Sequence, residues 1–399
     1  MLQNPFIYRA LLVLIMALLV QCSEDPASDT QTEKFTSIYD NRKFNATYVP
    51  IDVQQTPDGG YLVLSARKLT SSNYSGIHLL KADASGNFVR EMEVGDTLTN
   101  PVARLTLIND RFYFFCMSTN TTALLASVDE NLDALSTTNA GGLTYPAATM
   151  YSDNFFYLLS YNNESKESVI SRVGLDGSSA SKGYTIGVGE DVEEPIINHY
   201  LHNGKHFPFD IGKISANLYY FNGFFDYTFS LVFTDMSADA PLGVVAGQHD
   251  DGGFSAVAHL NGSNFATARF NFGDNFLLPR TALAMSGPSS STGLNDHALP
   301  ELVPNAKVKI LRATIDNKNV IIYASDTKSG QIGLFFYDEA TGEFLSARYL
   351  GFANPFEIGN VISTTDGGVA VCGTTYLSGR FPRICIIKLS KEDVAENVE

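Results

Sequence analysis

The sequence predicts an all-β chain built from repeated antiparallel hairpins. Three observations carry that expectation. First, the stretch Thr56-Pro57-Asp58-Gly59-Gly60-Tyr61-Leu62-Val63-Leu64 joins a turn to an apolar run. It returns as Thr364-Thr365-Asp366-Gly367-Gly368-Val369-Ala370-Val371 and, in part, as His249-Asp250-Asp251-Gly252-Gly253-Phe254. In such a turn the Asp carboxylate folds onto local amides and the glycines accept positive φ. The apolar residues that follow leave it as a strand. Second, apolar alternation of period two is almost continuous from about Phe35, and no long stretch shows helical period. Third, the chain has Phe 27 and Tyr 19, aromatic residues that favour strands.

Composition bounds the rest. Of 399 residues, 44% are hydrophobic and 18% charged, which supplies ample material for a core. Lys+Arg 27 against Asp+Glu 43 leaves a net charge of −16. Such a chain is repelled by nucleic acid and by bare anionic lipid, and no basic stripe offsets this, so no nucleic-acid partner is expected. The acidity suits solubility alone, or attraction of cations and basic ligands.

The N-terminus reads as an address. Ala10 to Val20 is an unbroken apolar run, too short for a bilayer span of about 20 residues. With Arg9 before it, it fits the centre of a secretion signal. Leu19-Val20-Gln21-Cys22 then resembles the lipobox of bacterial lipoproteins, with Gln21 departing from the usual small residue. The resemblance implies a signal peptide over 1–21 and acylation of Cys22. Residues 22–34 are small, acidic and proline-bearing, a flexible tether. An acidic stretch after the Cys is similar to the export signal of Bacteroides-type surface lipoproteins; the alternative reading is a plain solvated linker. The implied location is the outer membrane, on its periplasmic or cell-surface side, with the lipid anchor as the membrane contact.

The hairpins fall into a longer repeat. Val49 to Gln55, Tyr61 to Arg67, Ile77 to Ala82 and Asn87 to Val94 read as four strands, the last two joined by Asp83-Ala84-Ser85-Gly86. That second turn recurs at Asp129, Asp176 and Asp338, and in shortened form at Ser390. A repeat of roughly 45 to 60 residues is the length of a four-stranded propeller blade. The spacing predicts a β-propeller of about seven blades, with six or eight also compatible. Their starts fall near Tyr48, Pro101, Pro146, Glu194, Leu242, Lys307 and Ile358. The last blade lacks a fourth strand, and Phe35 to Tyr39 has no blade of its own. The expected solution is one propeller domain over 35–399, its ring closed by that N-terminal strand. The paired turns resemble the secreted bacterial propeller repeats built on Asp-Gly-Gly hairpins, which implies a fold and no catalytic residue.

The chemistry-bearing residues point to binding. Cys116 reads as a buried thiol, while Cys372 and Cys385, on adjacent strands, read as a cross-strand disulfide or as two packed thiols. No nucleophile elbow, zinc helix, phosphate loop or calcium loop is present in the sequence. His199 and His202 would face opposite sides of a strand, and Glu190 to Glu194 reads as a solvated acidic loop. Neither a metal nor a cofactor is therefore expected. The function expected is a membrane-tethered extracytoplasmic binding or scaffolding module for an unknown glycan or protein ligand. The alternative is a carbohydrate-active propeller, a glycoside hydrolase or lyase in glycan use. Variable loops on a rigid scaffold carry binding. Candidates on those loops are Tyr74, Tyr145, Phe225 and Phe381 for flat contact, and Glu193 and Arg380 to orient a polar ligand. His199, Asp296 and His297 complete the set.

Overall fold

The computed structural model describes residues 34–40, 47–296, 298–377 and 381–398. Cys22, His297 and Arg380 lie outside these residues. Among the described residues hydrogen bonding collects the strands into six sheets; the eight-stranded one divides at its weakest link, and the resulting seven groups are labelled I to VII in chain order. Group I holds Tyr48–Gln55, Tyr61–Lys68, Ser75–Ala82 and Phe88–Glu93. Group II holds Leu98–Ile108, Arg111–Ser118, Thr122–Asp129 and Leu135–Thr144, and a single bridge, Gly76 to Thr99, links it to group I. Group III runs from Pro146–Ser152 to Ser179–Thr185, and group VI from Val308–Ile315 to Phe344–Leu350. Group VII holds Phe356–Ser363, Val369–Leu377 and Phe381–Leu389, and Phe35–Tyr39 pairs antiparallel along the last of these.

Burial explains the sequence pattern within a group. Ser75–Ala82 is buried at every position, because neighbouring groups cover both its faces. Phe88–Glu93, at the rim, is half or fully exposed throughout. Hydrophobic clusters join successive groups. One packs Leu64 and Leu79 of group I against Phe112 and Phe114 of group II. Another packs Tyr61 and Val63 of group I against Cys372 and Ile386 of group VII. Face-to-face sheets of about four strands, whose first strands surround a common axial space, make this a β-propeller.

The turn chemistry is repeated in atomic detail. Asp58 Oδ1 accepts from Gly60 N at 3.0 Å and Asp366 Oδ1 from Gly368 N at 3.1 Å. Gly59 and Gly367 have φ of 85° and 84°. A Cβ on Gly60 or Gly368 would come within 2.3 Å of the carbonyl of Ala82 or Leu389, so the third strand passes too close for any side chain. That strand also supplies a buried lysine to each turn: Lys81 reaches Asp58 at 2.8 Å and Lys388 reaches Asp366 at 2.9 Å. Burial opposes ionisation of both carboxylates, but these lysines, the threonine hydroxyls and the glycine amides outweigh it and hold both below the usual range. In the second turn, Asp83, Asp129, Asp176 and Asp338 each accept from amides two to five residues on.

The middle of the chain departs from the expected repeat. Glu190–His199 is an α-helix, not an acidic loop, so His199 ends a helix and does not lie on a strand. Its acidic first turn complements the helix dipole, and Val192 and Ile196, four apart, bury one side. Group IV consequently begins at Asp210, not Glu194, and group V at Gly252, not Leu242. Phe225 does not sit in a long loop. It ends strand Leu218–Phe225 at a two-residue turn, Asp226-Tyr227, with both φ positive. Gly287–Ser290 runs parallel to Gly243–Ala246 as a fifth strand of group IV, leaving three strands in group V.

Cys372 and Cys385 are free thiols. Cys372 is registered opposite Ile386, and Cys385 opposite Gly373, so their side chains leave opposite faces of the sheet. They enter different hydrophobic clusters and cannot meet without a register slip. Burial pushes the Cys385 thiol up to about 12.

Candidate functional site: the axial cavity

The first strand of every group lines a cavity of about 1060 Å³ on the propeller axis. Five of these strands carry a register shift near their start, at Pro50/Asp52, Thr99/Val102, Pro146/Ala148, Phe254/Ala256 and Ile358/Asn360. Such bulges bend and twist a strand and re-aim its side chains. Packing between the bulges is close, since a Cβ on Gly359 would lie 2.6 Å from the Pro50 carbonyl. Asp52, 3% exposed, ties three groups together at this level. It accepts from Val53 N at 2.9 Å, from Leu105 N, and from the Asn360 side chain.

One end of the cavity is crossed by the connection between groups III and IV. After the helix, Tyr200 donates its hydroxyl to the Tyr145 carbonyl at 2.6 Å, and its own carbonyl accepts from Asn100 Nδ2 at 2.8 Å. Leu201 bridges to Tyr74, and His202 N donates to Asn73 O at 2.7 Å. Phe207 and Phe209 then fold in against Phe224 and Phe229. Phe207 N donates to His199 Nδ1 at 2.9 Å, so that nitrogen carries no proton. Burial, with the nearby His206, holds the imidazole down at about 3. His199 is therefore neutral and serves as a fixed acceptor inside this aromatic plug.

Of the candidate residues, the structure brings Tyr74, Tyr145 and His199 together around Tyr200. Glu193 lies on the same helix, where it meets Lys166 at 2.5 Å, and that hydrogen bond lowers its carboxyl. The others lie apart. Phe225 packs edge-on against Tyr184 at 6.5 Å, Asp296 is exposed, and Phe381 lies under the Arg383 guanidinium at 5.7 Å. Among the described residues, no group of three or more His, Cys, Asp or Glu could hold a metal ion.

Sequence reasoning missed the charged residues of the cavity wall. Arg104 of group II meets Asp210 of group IV at 3.3 Å, with 56% of the arginine side chain open to solvent. Lys307 and Lys309 stand two apart at the head of group VI, with buried Val308 between them. The alternation Lys-Val-Lys at a blade start was the available signal, because period two puts both lysines on the face opposite the core.

No protein-family model matches the chain, and comparison with curated proteins finds no match. Solved structures are similar at the level of the fold. The β-propeller domain of the Trilobed protease from Pyrococcus furiosus is 7% identical with a TM-score of 0.43, covering 88% of this chain and 98% of that one. Sqt1 from Chaetomium thermophilum is 13% identical with a TM-score of 0.46, covering 85% of each chain. The computationally designed Ika8 protein is 11% identical with a TM-score of 0.42, covering 85% and 96%.

Proposed function

We propose that this protein is a membrane-tethered extracytoplasmic binding module whose ligand occupies the axial cavity. The carrying observation is the cavity itself, about 1060 Å³ and walled by the first strands of all seven groups. Ligand pockets run to about 300–1,000 Å³ and are lined by apolar surface with a few placed polar groups. Here Ala147, Ala148, Val257 and Ala258 alternate with the charged residues just described. Acylation of Cys22 would supply the tether, and the acidic residues after it the reach. The test is native mass spectrometry of the chain purified from its own envelope, followed by a glycan array and metabolite binding on a soluble chain starting at Lys34. A ligand bound one to one, and displaced by Ala258→Phe, supports the reading. A ligand that survives Ala258→Phe, or no ligand at all, overturns it.

A further inference from the structure

We infer that the axial cavity is built for a small organic anion carrying two or more negative groups, held by Lys307 and Lys309. The inference deepens the binding-module reading and rests on it. Its first support is the sign of the wall. The chain as a whole is acidic, with Asp+Glu 43 against Lys+Arg 27. Yet the ionised side chains lining the cavity are Arg104, Lys205, Lys213, Lys307, Lys309 and Arg312, with Asp210 as the one acid among the described lining residues. A random draw from this composition would favour acids.

The second support is how these cations are used. Four are matched by carboxylates of the wall or rim: Arg104 by Asp210, Lys205 by Asp250, Lys213 by Asp153 and Arg312 by Glu339. Lys307 and Lys309 are not. Among the described residues no carboxylate lies within 4.0 Å of either ammonium. Lys309 is the second residue of the strand Val308–Ile315, and Lys307 stands two residues before it, just ahead of that strand. Lys307 is exposed and Lys309 half-buried, so the repulsion between the two falls mainly on Lys309, and an anion at the wall would relieve it. The surroundings agree with this. Burial pulls the Lys309 ammonium down; Asp52 and Asp210 act against it, while Lys307 and Arg104 add to it, and the net direction is downward.

The geometry also sets the ligand's form. Adjacent ammoniums suit two carboxylates, or one phosphate with a second group, because charge-assisted bonds to lysine are the strong ones. The Arg104 guanidinium completes a third side, and the alanines and Val257 leave room for a short carbon skeleton.

The experiment uses the chain from Lys34 at constant ionic strength. Citrate, inorganic pyrophosphate and a neutral trisaccharide are titrated by calorimetry. In parallel, acetic anhydride labels lysines with and without citrate, and the peptide holding Lys307 and Lys309 is quantified by mass spectrometry. Saturable one-to-one binding of citrate or pyrophosphate is expected, and the stronger of the two tells carboxylate from phosphate. The bound anion should slow labelling of Lys307 and Lys309 but not of Lys328. Lys309→Met should weaken binding about tenfold or more, and Lys307→Met together with Lys309→Met should abolish it. Lys328→Gln, outside the cavity lining, should change it little. If Lys309→Met does not fold, Lys309→Gln and the labelling assay on the unaltered chain decide. Anion binding that ignores both lysines overturns the inference. So does a neutral ligand displaced by Ala258→Phe with no anion bound, a result that leaves the binding-module reading standing. If nothing binds at all, both fail.

Discussion

Removing the strand Phe35–Tyr39 should cost this propeller a large share of its stability, and the structure allows the cost to be worked out. The strand pairs with Phe381–Leu389 over five residues, from Phe35 opposite Lys388 to Tyr39 opposite Ile384. It also touches group I. The Phe35 ring meets Tyr61 edge-on at 5.7 Å, and the Tyr39 hydroxyl donates to the Gly86 carbonyl at 2.9 Å. Asp40, just beyond, meets Arg383 at 2.8 Å, whose side chain is only 4% exposed. Deleting a fully buried aromatic side chain costs about 3–5 kcal/mol, and these two are half-buried, so about 2 kcal/mol each is reasonable. Breaking a buried ion pair costs about 3–5 kcal/mol, reduced to about 2 because Asp40 is 44% exposed. The total of about 6 kcal/mol compares with about 5–15 kcal/mol for a whole domain. Two chains test this, one starting at Lys34 and one at Asn41. The shorter should melt about 10 °C lower, or fail to accumulate as soluble protein, because the edge of Phe381–Leu389 is then bare. Equal denaturation midpoints for the two would refute the idea that this strand closes the ring.

Four further outcomes are expected. Asp366→Asn leaves the Lys388 ammonium, 3% exposed, without its carboxylate. Chemical denaturation should show a loss of about 2–3 kcal/mol, more than half of it recovered when Lys388→Met is added. The Cys372 and Cys385 thiols should both titrate with a thiol reagent in denaturant, and reductant should leave the melting temperature unchanged. Burial raises the Asp326 carboxyl to about 6, against its bond from the Ile358 amide. The folded state then holds its proton more tightly than the unfolded chain, so this group's contribution falls as pH rises from about 4 to about 6. Asp326→Asn should flatten stability over that window by about 2–3 kcal/mol; an unchanged slope would refute it. Cys22→Ala should move the protein from the membrane pellet to the soluble fraction, and retention in the pellet would remove the lipid anchor.

What the sequence disclosed depended on range. The Asp58 and Asp366 turns were legible because each is closed within four residues by its own carboxylate and glycines. The same holds for Asp83 and Asp338. Even so, the buried Lys81 and Lys388 that complete the first kind of turn stand more than twenty residues away and carried no local mark. The helix Glu190–His199 was missed because ten residues, with Pro195 inside and two buried positions, show too little period to register. Gly287–Ser290 could not be foreseen. Gly-Pro-Ser-Ser has poor strand propensity and pairs with a strand more than forty residues earlier. The candidate site divided along the same line. Tyr74 and Tyr145 were found as aromatic loop residues, but their meeting through Tyr200 depends on a connection from a third group. Lys307 and Lys309 were visible only as the start of a blade.

The distribution of charge bears on which ligands can reach the cavity. At long range the molecule is an anion, with a net charge of −16. Its field opposes the approach of another anion, and salt screens it over about 8 Å at physiological ionic strength. On the cavity wall the sign reverses, because its described Lys, Arg, Asp and Glu residues are six cations and Asp210 alone. A long polyanion would keep most of its charge outside and meet repulsion along its length. A small one can leave the repulsive region and place all its charge against the lysines. The same reasoning gives salt a two-sided effect. Moderate salt should speed entry by screening the exterior, while partly enclosed contacts at Lys309 are screened far less. Selection for size thus follows from an acidic surface around a basic cavity, before any shape of the wall is considered.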